Sequence, residues 1–269
     1  MVPEMFYKFF IVLQRFNPNL KFIVAGDFAQ LLPVKDRVDC DYKNSCALNE
    51  LCKGNRIQLS KCRRSDDTLF NMLLPSNINK LKRTDFGGNF TDQHICFTNT
   101  KRKQINHQMM QQVYSKKKAS NPKLNPLFLP ALTFDPNSQD VTLVSGTPLI
   151  ARKNTKSENI YNNELFTIKQ IQHKTGMVIV TDGNNQHDIP MTDFQSMFHP
   201  AYCITTHKSQ GSTFDHPYTI HEWEKFDERL KYVALSRSTN LSHINVTRPG
   251  VKKEDGWNPN EVDMFIDEE

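Results

Sequence analysis

The chain has 269 residues, 38% of them hydrophobic and 23% charged, which is length for one large domain or two small ones and an ordinary balance for a globular protein. No apolar run approaches the ~18 residues that a membrane span needs; the most apolar stretch, Phe9 to Leu13, is bracketed by Lys8 and Arg15. A formal charge of +5 permits a nucleic-acid partner without demanding one.

In chain order, Met5, Phe6, Phe9, Val12, Leu13 and Phe16 recur at helical spacing, with Pro3 suited to the first turn and Asn17-Pro18 ending the pattern. Glu4 and Lys8 interrupt the apolar pattern and no small-residue cleavage site follows, so no signal peptide is visible and the protein is expected to stay inside the cell. Phe22 to Ala25 is a continuous apolar run before Gly26-Asp27, which reads as a buried parallel strand with its turn at the C-terminal end. Arg56 to Leu59 reads as a strand, Asp66 to Leu74 as a helix with Leu69, Phe70 and Leu73 on one face, His94 to Thr98 as a strand, and Thr100 to Tyr114 as a helix with Ile105, Met109 and Val113 inward. Strand and helix alternating in this way predict a parallel α/β sheet. Residues 115–140, with Lys116-Lys117-Lys118 and four prolines (Pro122, Pro126, Pro130 and Pro136), read as a linker or irregular loop. Residues 141–190 read as all-β, with short strands at Val141 to Val144, Pro148 to Ala151, Leu165 to Ile168 and Met177 to Val180, and a hairpin turn at Asp182-Gly183-Asn184-Asn185. The α/β pattern then returns with strands ending at Thr206, at Tyr218 to His221 and at His243 to Val246, and a helix from about Phe226. Cys40, Cys46, Cys52 and Cys62 cluster loosely without any C-x-x-C pair; they read as reduced, partly buried thiols, with a zinc site as the alternative, and no metal site is expected.

Three distant segments carry candidate chemistry. The loop Gly26-Asp27-Phe28-Ala29-Gln30-Leu31-Leu32-Pro33-Val34 follows the first predicted strand, and α/β sheets bind ligands at the C-terminal ends of their strands. The Gln30 carboxamide both donates and accepts, so it can bond a terminal phosphate while touching a second domain. Thr205-Thr206-His207-Lys208-Ser209-Gln210-Gly211 follows a strand and is expected to open a helix, where backbone N–H groups bind phosphates; Lys208 adds charge, and Thr206 and Ser209 add hydroxyl donors. Tyr232-Val233-Ala234-Leu235-Ser236-Arg237 is an apolar helical run ending in one arginine, whose planar and permanently charged fork suits a developing phosphate charge. Each has a plain structural alternative: a polar strand-turn, a capped helix with an exposed lysine, and an arginine complementing a helix C-terminus.

Their order and spacing together resemble the third, fifth and sixth signature motifs of Pif/RecD-type superfamily 1 (1B) DNA helicases, over roughly residues 1–246. Weaker correspondences lie between them. Leu59 to Arg64 resembles the segment that supplies one of that family's two arginine fingers, with Arg64 favoured by register and Arg63 the alternative. Thr98-Asn99 resembles a contact to the DNA backbone. Gly146 to Ile150 and Asn163-Glu164-Leu165 sit where relatives have similar strands. The implied fold is an α/β RecA-like helicase domain carrying an inserted small SH3-type β-barrel and preceded by a remnant of a first RecA-like domain. The implied boundaries are 1–35 for that remnant, 36–138 and 199–250 for the second RecA-like domain, 139–198 for the insert and 251–269 for a tail.

The resemblance implies that Gly26, Asp27, Gln30, Gly211, Arg64 and Arg237 sense ATP, with Gln30, Arg64 and Arg237 in catalytic roles. It further implies that Thr98, Asn99, Thr206, His207, Lys208 and Ser209 hold single-stranded DNA, with translocation 5′ to 3′. Phosphoryl transfer in this class needs a Gly-rich loop ending in Gly-Lys-Ser/Thr and an Asp-Glu for magnesium. None of the ten glycines begins such a loop; Asp227-Glu228 follows no apolar strand, and Asp267-Glu268 belongs to the tail. ATP and Mg2+ therefore belong to a complete enzyme and neither is held by this chain alone. The missing N-terminal ATPase half is expected as a partner, and without it the chain is expected to be inactive. The remnant should then lack sheet neighbours and expose Met5, Phe9 and Phe16. The competing readings are a non-catalytic single-stranded nucleic-acid-binding module and a protein-interaction domain built on the β insert.

Overall fold

The structure, a computed structural model, describes residues 3–32 and 41–247. Cys40, Pro33-Val34 at the end of the first motif, and the tail from 251 lie outside the described residues. The first helix, α1 (Glu4–Phe16), follows Pro3, with Glu4 in its first turn and Arg15 in its last, charges that complement the helix dipole. Its buried residues are Tyr7 and Ile11, which pack with Ala47, Leu48 and Leu51 of α2 (Cys46–Leu51) in a small separate core. Met5, Phe9 and Phe16 are 70%, 54% and 85% exposed, as expected for a helix without sheet neighbours.

Two predicted strands are not formed. Phe22 to Ala25 runs without strand pairing, with Ile23 98% exposed, and Arg56 to Leu59 is likewise irregular, with Ile57 and Leu59 exposed. An apolar run becomes a strand only where a neighbour accepts its backbone hydrogen bonds, and among the described residues neither segment has one. The predicted helix at Asp66 to Leu74 is present as α3 (Asp67–Met72), followed by α4 (Pro75–Ile78). Leu69 and Leu73 are buried, and Phe70 is half-buried.

Asp66 holds two chain segments. One carboxylate oxygen accepts from the Leu69 N–H at 2.8 Å and caps α3; the other accepts from the Leu241 N–H at 2.8 Å. Asp66→Ala is expected to cost about 2 kcal/mol, the upper end for a lost cap, and Asp66→Asn less. Chemical denaturation checks this, and an unchanged midpoint in the alanine variant would remove Asp66 from the account.

The parallel sheet has the order β11-β10-β1-β9. Its strands are β1 (Gln93–Cys96), β9 (Cys203–Thr205), β10 (Tyr218–Ile220) and β11 (Ile244–Val246), close to their predicted positions. Between β1 and β9 comes α5 (Asn99–Ser120), capped by Thr98, whose hydroxyl accepts from the Lys101 N–H. The lysine run predicted as loop is the last part of this helix. Lysine is a good helix former, and its charge is favourable near a helix C-terminus.

Beyond α5, β2 (Leu127–Leu129) pairs antiparallel with β3 (Val141–Leu143). The strands β4 (Pro148–Ala151), β5 (Leu165–Gln172), β6 (Met177–Thr181), β7 (Gln186–Pro190) and β8 (Phe198–Pro200) form an antiparallel sheet in the order β7-β6-β5-β4-β8. The predicted hairpin turn joins β6 to β7, with Gly183 at φ +101°, a backbone that glycine adopts without strain. Closure into the expected SH3-type barrel is not among these pairings. The helix α6 (Met191–Met197) follows β7, and α7 (Glu228–Leu235), capped by Asp227, packs on the parallel sheet.

One core joins the two sheets. Ile105, Met109 and Met110 of α5 and Cys96 and Cys203 of the parallel sheet pack in the same cluster as Leu149, Phe166, Val178, Val180 and Phe198 of the antiparallel sheet. A second core lies between the parallel sheet, α3 and α7. The five described cysteines are free thiols, with Cys96 and Cys203 buried. Among the described residues no helix is long and apolar enough to cross a membrane.

Candidate nucleotide-sensing and nucleic-acid site

The loop after Gly26 is drawn onto α7 by side chains from three segments. One Asp27 carboxylate oxygen accepts from the Tyr232 hydroxyl at 2.6 Å and from Gln30 Nε2 at 3.3 Å. Arg229 Nη1 donates to the carbonyls of Phe28 and Gln30 at 2.7 and 2.8 Å. Gln210 Nε2 donates to Gln30 Oε1 at 3.0 Å. The structure thus brings Asp27 and Gln30 to the third motif through Tyr232 and to the second through Gln210. Burial, then the bond to Asp27, pushes the Tyr232 phenol well above its ordinary range, so it remains a donor. Gly26 itself is exposed, with open space where a Cβ would sit, and touches none of these groups.

The two arginines assigned to phosphate differ in availability. Arg237 is 2% exposed. Its Nε donates to the Val233 carbonyl at 2.9 Å, Nη1 to the Ser212 carbonyl at 3.2 Å and Nη2 to Ser236 Oγ at 2.9 Å. Burial, then the like charge of Arg64, lowers its proton affinity. Arg64 is exposed, and its Nη1 donates to the Ser236 carbonyl at 3.1 Å. In this conformation Arg237 clamps the end of α7 to the turn at Ser212, while Arg64 has guanidinium donors toward solvent. Arg63 is exposed as well.

The segment from Thr206 to Gly211 does not open a helix. It makes a single turn, with the Ser209 N–H bonded to the Thr205 carbonyl, and ends at Gly211 with φ +97°. A left-handed residue there stops helical propagation, so the expected run of helix N–H groups is absent. Thr206 and Ser209 are fully buried. Their hydroxyls donate to the carbonyls of Cys96 and Thr206 at 3.1 and 2.8 Å, so they shape the turn and face inward. His207 is exposed. Lys208 is half-buried, and its Nζ donates to the side-chain oxygens of Asn162 and Asn163 at 2.9 and 2.7 Å, which ties the turn to the β4–β5 loop.

Thr98 and Asn99 lie at the start of α5, next to the turn, since the Thr206 N–H bonds the Cys96 carbonyl at 2.8 Å. Glu222, in a left-handed backbone at φ +59°, accepts from the N–H groups of Phe97 and Thr98 at 3.0 and 2.8 Å and from Thr98 Oγ1 at 3.0 Å. Burial works to raise the Glu222 pKa, but the Thr98 hydrogen bonds and Lys225 hold it below the ordinary range. Asn99 Oδ1 accepts from Arg102 Nε at 3.1 Å. Glu222, Arg102, Arg229 and Asn162 carry no signal in the sequence reading, and Asn163 enters it only as part of a strand correspondence. Tyr232 and Gln210 sit inside motifs already singled out, and that placement was the available clue to them.

No family model matches the chain. Among solved structures, a Pif1 helicase from Candida albicans is 15% identical, with a TM-score of 0.58 over 98% of this chain and 73% of that one. A Bacteroides Pif1 bound to single-stranded DNA is 17% identical, with a TM-score of 0.49 over 78% and 55%. A Pif1 helicase studied in unwinding at forked double-stranded DNA is 17% identical, with a TM-score of 0.47 over 77% and 52%. The chain therefore spans about half the length of the last two. The mixed α/β chain, with its parallel and antiparallel sheets, has the fold of a Pif1 helicase, a relationship carried by the Candida albicans structure along 98% of its residues.

Proposed function

We propose that the chain is the C-terminal part of an ATP-dependent DNA helicase that translocates on single-stranded DNA, 5′ to 3′, and unwinds duplex. The observation that carries this reading is the bridge from Asp27-Gln30 to Tyr232 and Gln210, which links three motifs separated by about 180 and about 20 residues in sequence. Such a bridge couples a phosphate-sensing loop to the turn that would touch nucleic acid. Arg64 and Gln30 would meet the terminal phosphate of ATP, with Arg237 holding the end of α7 against them. His207, Lys208, Asn99 and Thr98 would meet the DNA backbone, which is gripped through phosphate contacts rather than read. The antiparallel sheet would be the SH3-type insert, with its Asn162-Asn163 loop steadying Lys208.

These residues supply donors for a phosphate but no Gly-rich phosphate cradle and no carboxylates suited to magnesium, so no hydrolytic step is derived for them. ATP and Mg2+ would be held with a further ATPase half, and that half would cover the exposed apolar residues of α1. The non-catalytic alternative, a single-stranded nucleic-acid-binding module, is favoured by the absence of a Gly-Lys-Ser/Thr loop in the 269 residues.

The purified chain is expected to bind labelled oligo(dT) with an affinity that falls steeply with salt, and to release no phosphate from MgATP with or without that oligonucleotide. Fluorescence anisotropy and a phosphate-release assay measure the two. DNA-stimulated turnover would refute the inactivity of this chain alone, and failure to bind the oligonucleotide at low salt would refute the nucleic-acid surface. Because ATP would be held only with a further ATPase half, a non-hydrolysable ATP analogue should leave the DNA affinity of this chain unchanged, and an effect of the analogue would refute that part of the reading.

A further inference from the structure

Glu222 brings a negative charge onto the surface assigned to nucleic acid. It follows β10 in a left-handed backbone, φ +59° and ψ +34°, which a residue with a Cβ adopts only at an energetic cost. Its side chain reaches the end of β1. There Oε2 accepts from the N–H groups of Phe97 and Thr98 at 3.0 and 2.8 Å, and Oε1 accepts from Thr98 Oγ1 at 3.0 Å and from Lys225 Nζ at 2.9 Å. The Glu222 side chain is 9% exposed and that of Lys225 60%, so the carboxylate is shut in while the cation balancing it lies at the surface.

These bonds leave Thr98 nothing to give. A threonine hydroxyl has one proton, and that proton goes to Glu222, while the oxygen accepts from the Lys101 N–H at 3.1 Å. The N–H groups of Phe97 and Thr98 are taken by the same carboxylate. Carboxylate and phosphate make the same kind of charge-assisted bond to an N–H or O–H donor, and two anions on one set of donors repel. A phosphate can therefore use Thr98 only after Glu222 has left it. Leaving also frees residue 222 from its left-handed backbone, so strain held in the free chain offsets part of the lost bonding.

We propose that Glu222 sets the affinity of the chain for nucleic acid: its carboxylate occupies the Phe97 and Thr98 donors in the free chain, and a bound phosphodiester displaces it. The proposal rests on the nucleic-acid reading above and adds to it a residue that weakens binding.

The test titrates labelled oligo(dT) against the whole chain and the variants Glu222→Gln, Glu222→Gly and Glu224→Gln at one salt concentration, with a thermal melt of each. Glu222→Gln keeps the size of the side chain but makes only neutral bonds. It should bind oligo(dT) about fivefold tighter, the ratio between a charge-assisted and a neutral hydrogen bond. Glu222→Gly empties the donors and suits the left-handed backbone, and it should bind at least as tightly as Glu222→Gln. Glu224, two residues on, is exposed and paired with Arg83 at 2.9 Å. Glu224→Gln removes the same charge without touching Thr98 and should leave the affinity at the wild-type value. A Glu222 that only fastens β1 to the turn after β10 predicts a lower Tm in its variants, with oligo(dT) affinity unchanged or weaker; that result overturns the proposal. Equal tightening by Glu224→Gln overturns it too, because the effect is then one of charge at a distance. Absence of oligonucleotide binding in every form sinks the nucleic-acid reading and the proposal with it, whereas binding that ignores residue 222 sinks the proposal alone. If Glu222→Gly does not fold, the sign of the Glu222→Gln effect decides.

Discussion

Arg237→Ala is expected to destabilise the chain by about 3 kcal/mol, lowering Tm by roughly 6–12 °C for a domain of this size. The side chain is fully buried and donates to two carbonyls and a hydroxyl. Truncation leaves the Val233 and Ser212 carbonyls short of a charged donor and opens a cavity between α7 and the turn at Ser212. Arg237→Lys should fall between, because one ammonium cannot reproduce a fork aimed at three acceptors. Arg64→Ala removes an exposed side chain with one such bond and should stay within about 0.5 kcal/mol of wild type. Urea denaturation of the three variants measures this. A change below 1 kcal/mol for Arg237→Ala would mean that the arginine does not hold α7 to the turn.

Acid should weaken the fold before its carboxylates protonate. His221 is fully buried between β10 and its neighbours, with Nε2 3.1 Å from His94 Nδ1 and Nδ1 2.7 Å from Thr247 Oγ1. Burial, then His94, holds its pKa well below 6.5, and His199 is lowered to about 3. The native state keeps both imidazoles neutral, so below about pH 6.5 the unfolded chain binds more protons and stability falls as pH falls. Each contributes up to about 1.4 kcal/mol per pH unit, so the pair removes roughly 3 kcal/mol between pH 6.5 and pH 5. Asp135 and Glu222, whose pKa values are depressed, add their losses further down, as pH falls through the carboxylate range. His199→Gln should remove about half of the slope between pH 6.5 and 5. Urea midpoints that stay flat from pH 7 to pH 5 would show that neither imidazole is held neutral.

The sequence carried the parallel sheet, α5, α7 and the β6–β7 hairpin because each is announced by local pattern: apolar runs of strand length, helical spacing, and Asp-Gly at a turn. Phe22 to Ala25 and Arg56 to Leu59 have the same local pattern, yet whether they pair depends on a neighbour that local pattern does not describe. The lysine run has the composition of a loop, yet lysine is a good helix former and is favourable at a helix C-terminus. The turn at Thr206 to Gly211 has the local pattern of a helix start, but Gly211 takes a left-handed backbone that stops the helix. Of the candidate site, the three motifs were legible as residues in order. Glu222 and Arg102 were not, because their importance arises from placement in the folded chain, which sets a loop glutamate on Thr98 and an arginine of α5 on Asn99.

The common core of the two sheets sets how the molecule comes apart. Phe166, Val180 and Phe198 of the antiparallel sheet share one apolar cluster with Met109 of α5 and Cys203 of the parallel sheet. Removing the antiparallel sheet would strip the long helix of its covering and leave that side of the parallel sheet wet. The two sheets are therefore bound into a single cooperative unit: a chain shortened by excising the antiparallel sheet would be expected to aggregate rather than to yield a smaller folded domain, and heat should melt both sheets together.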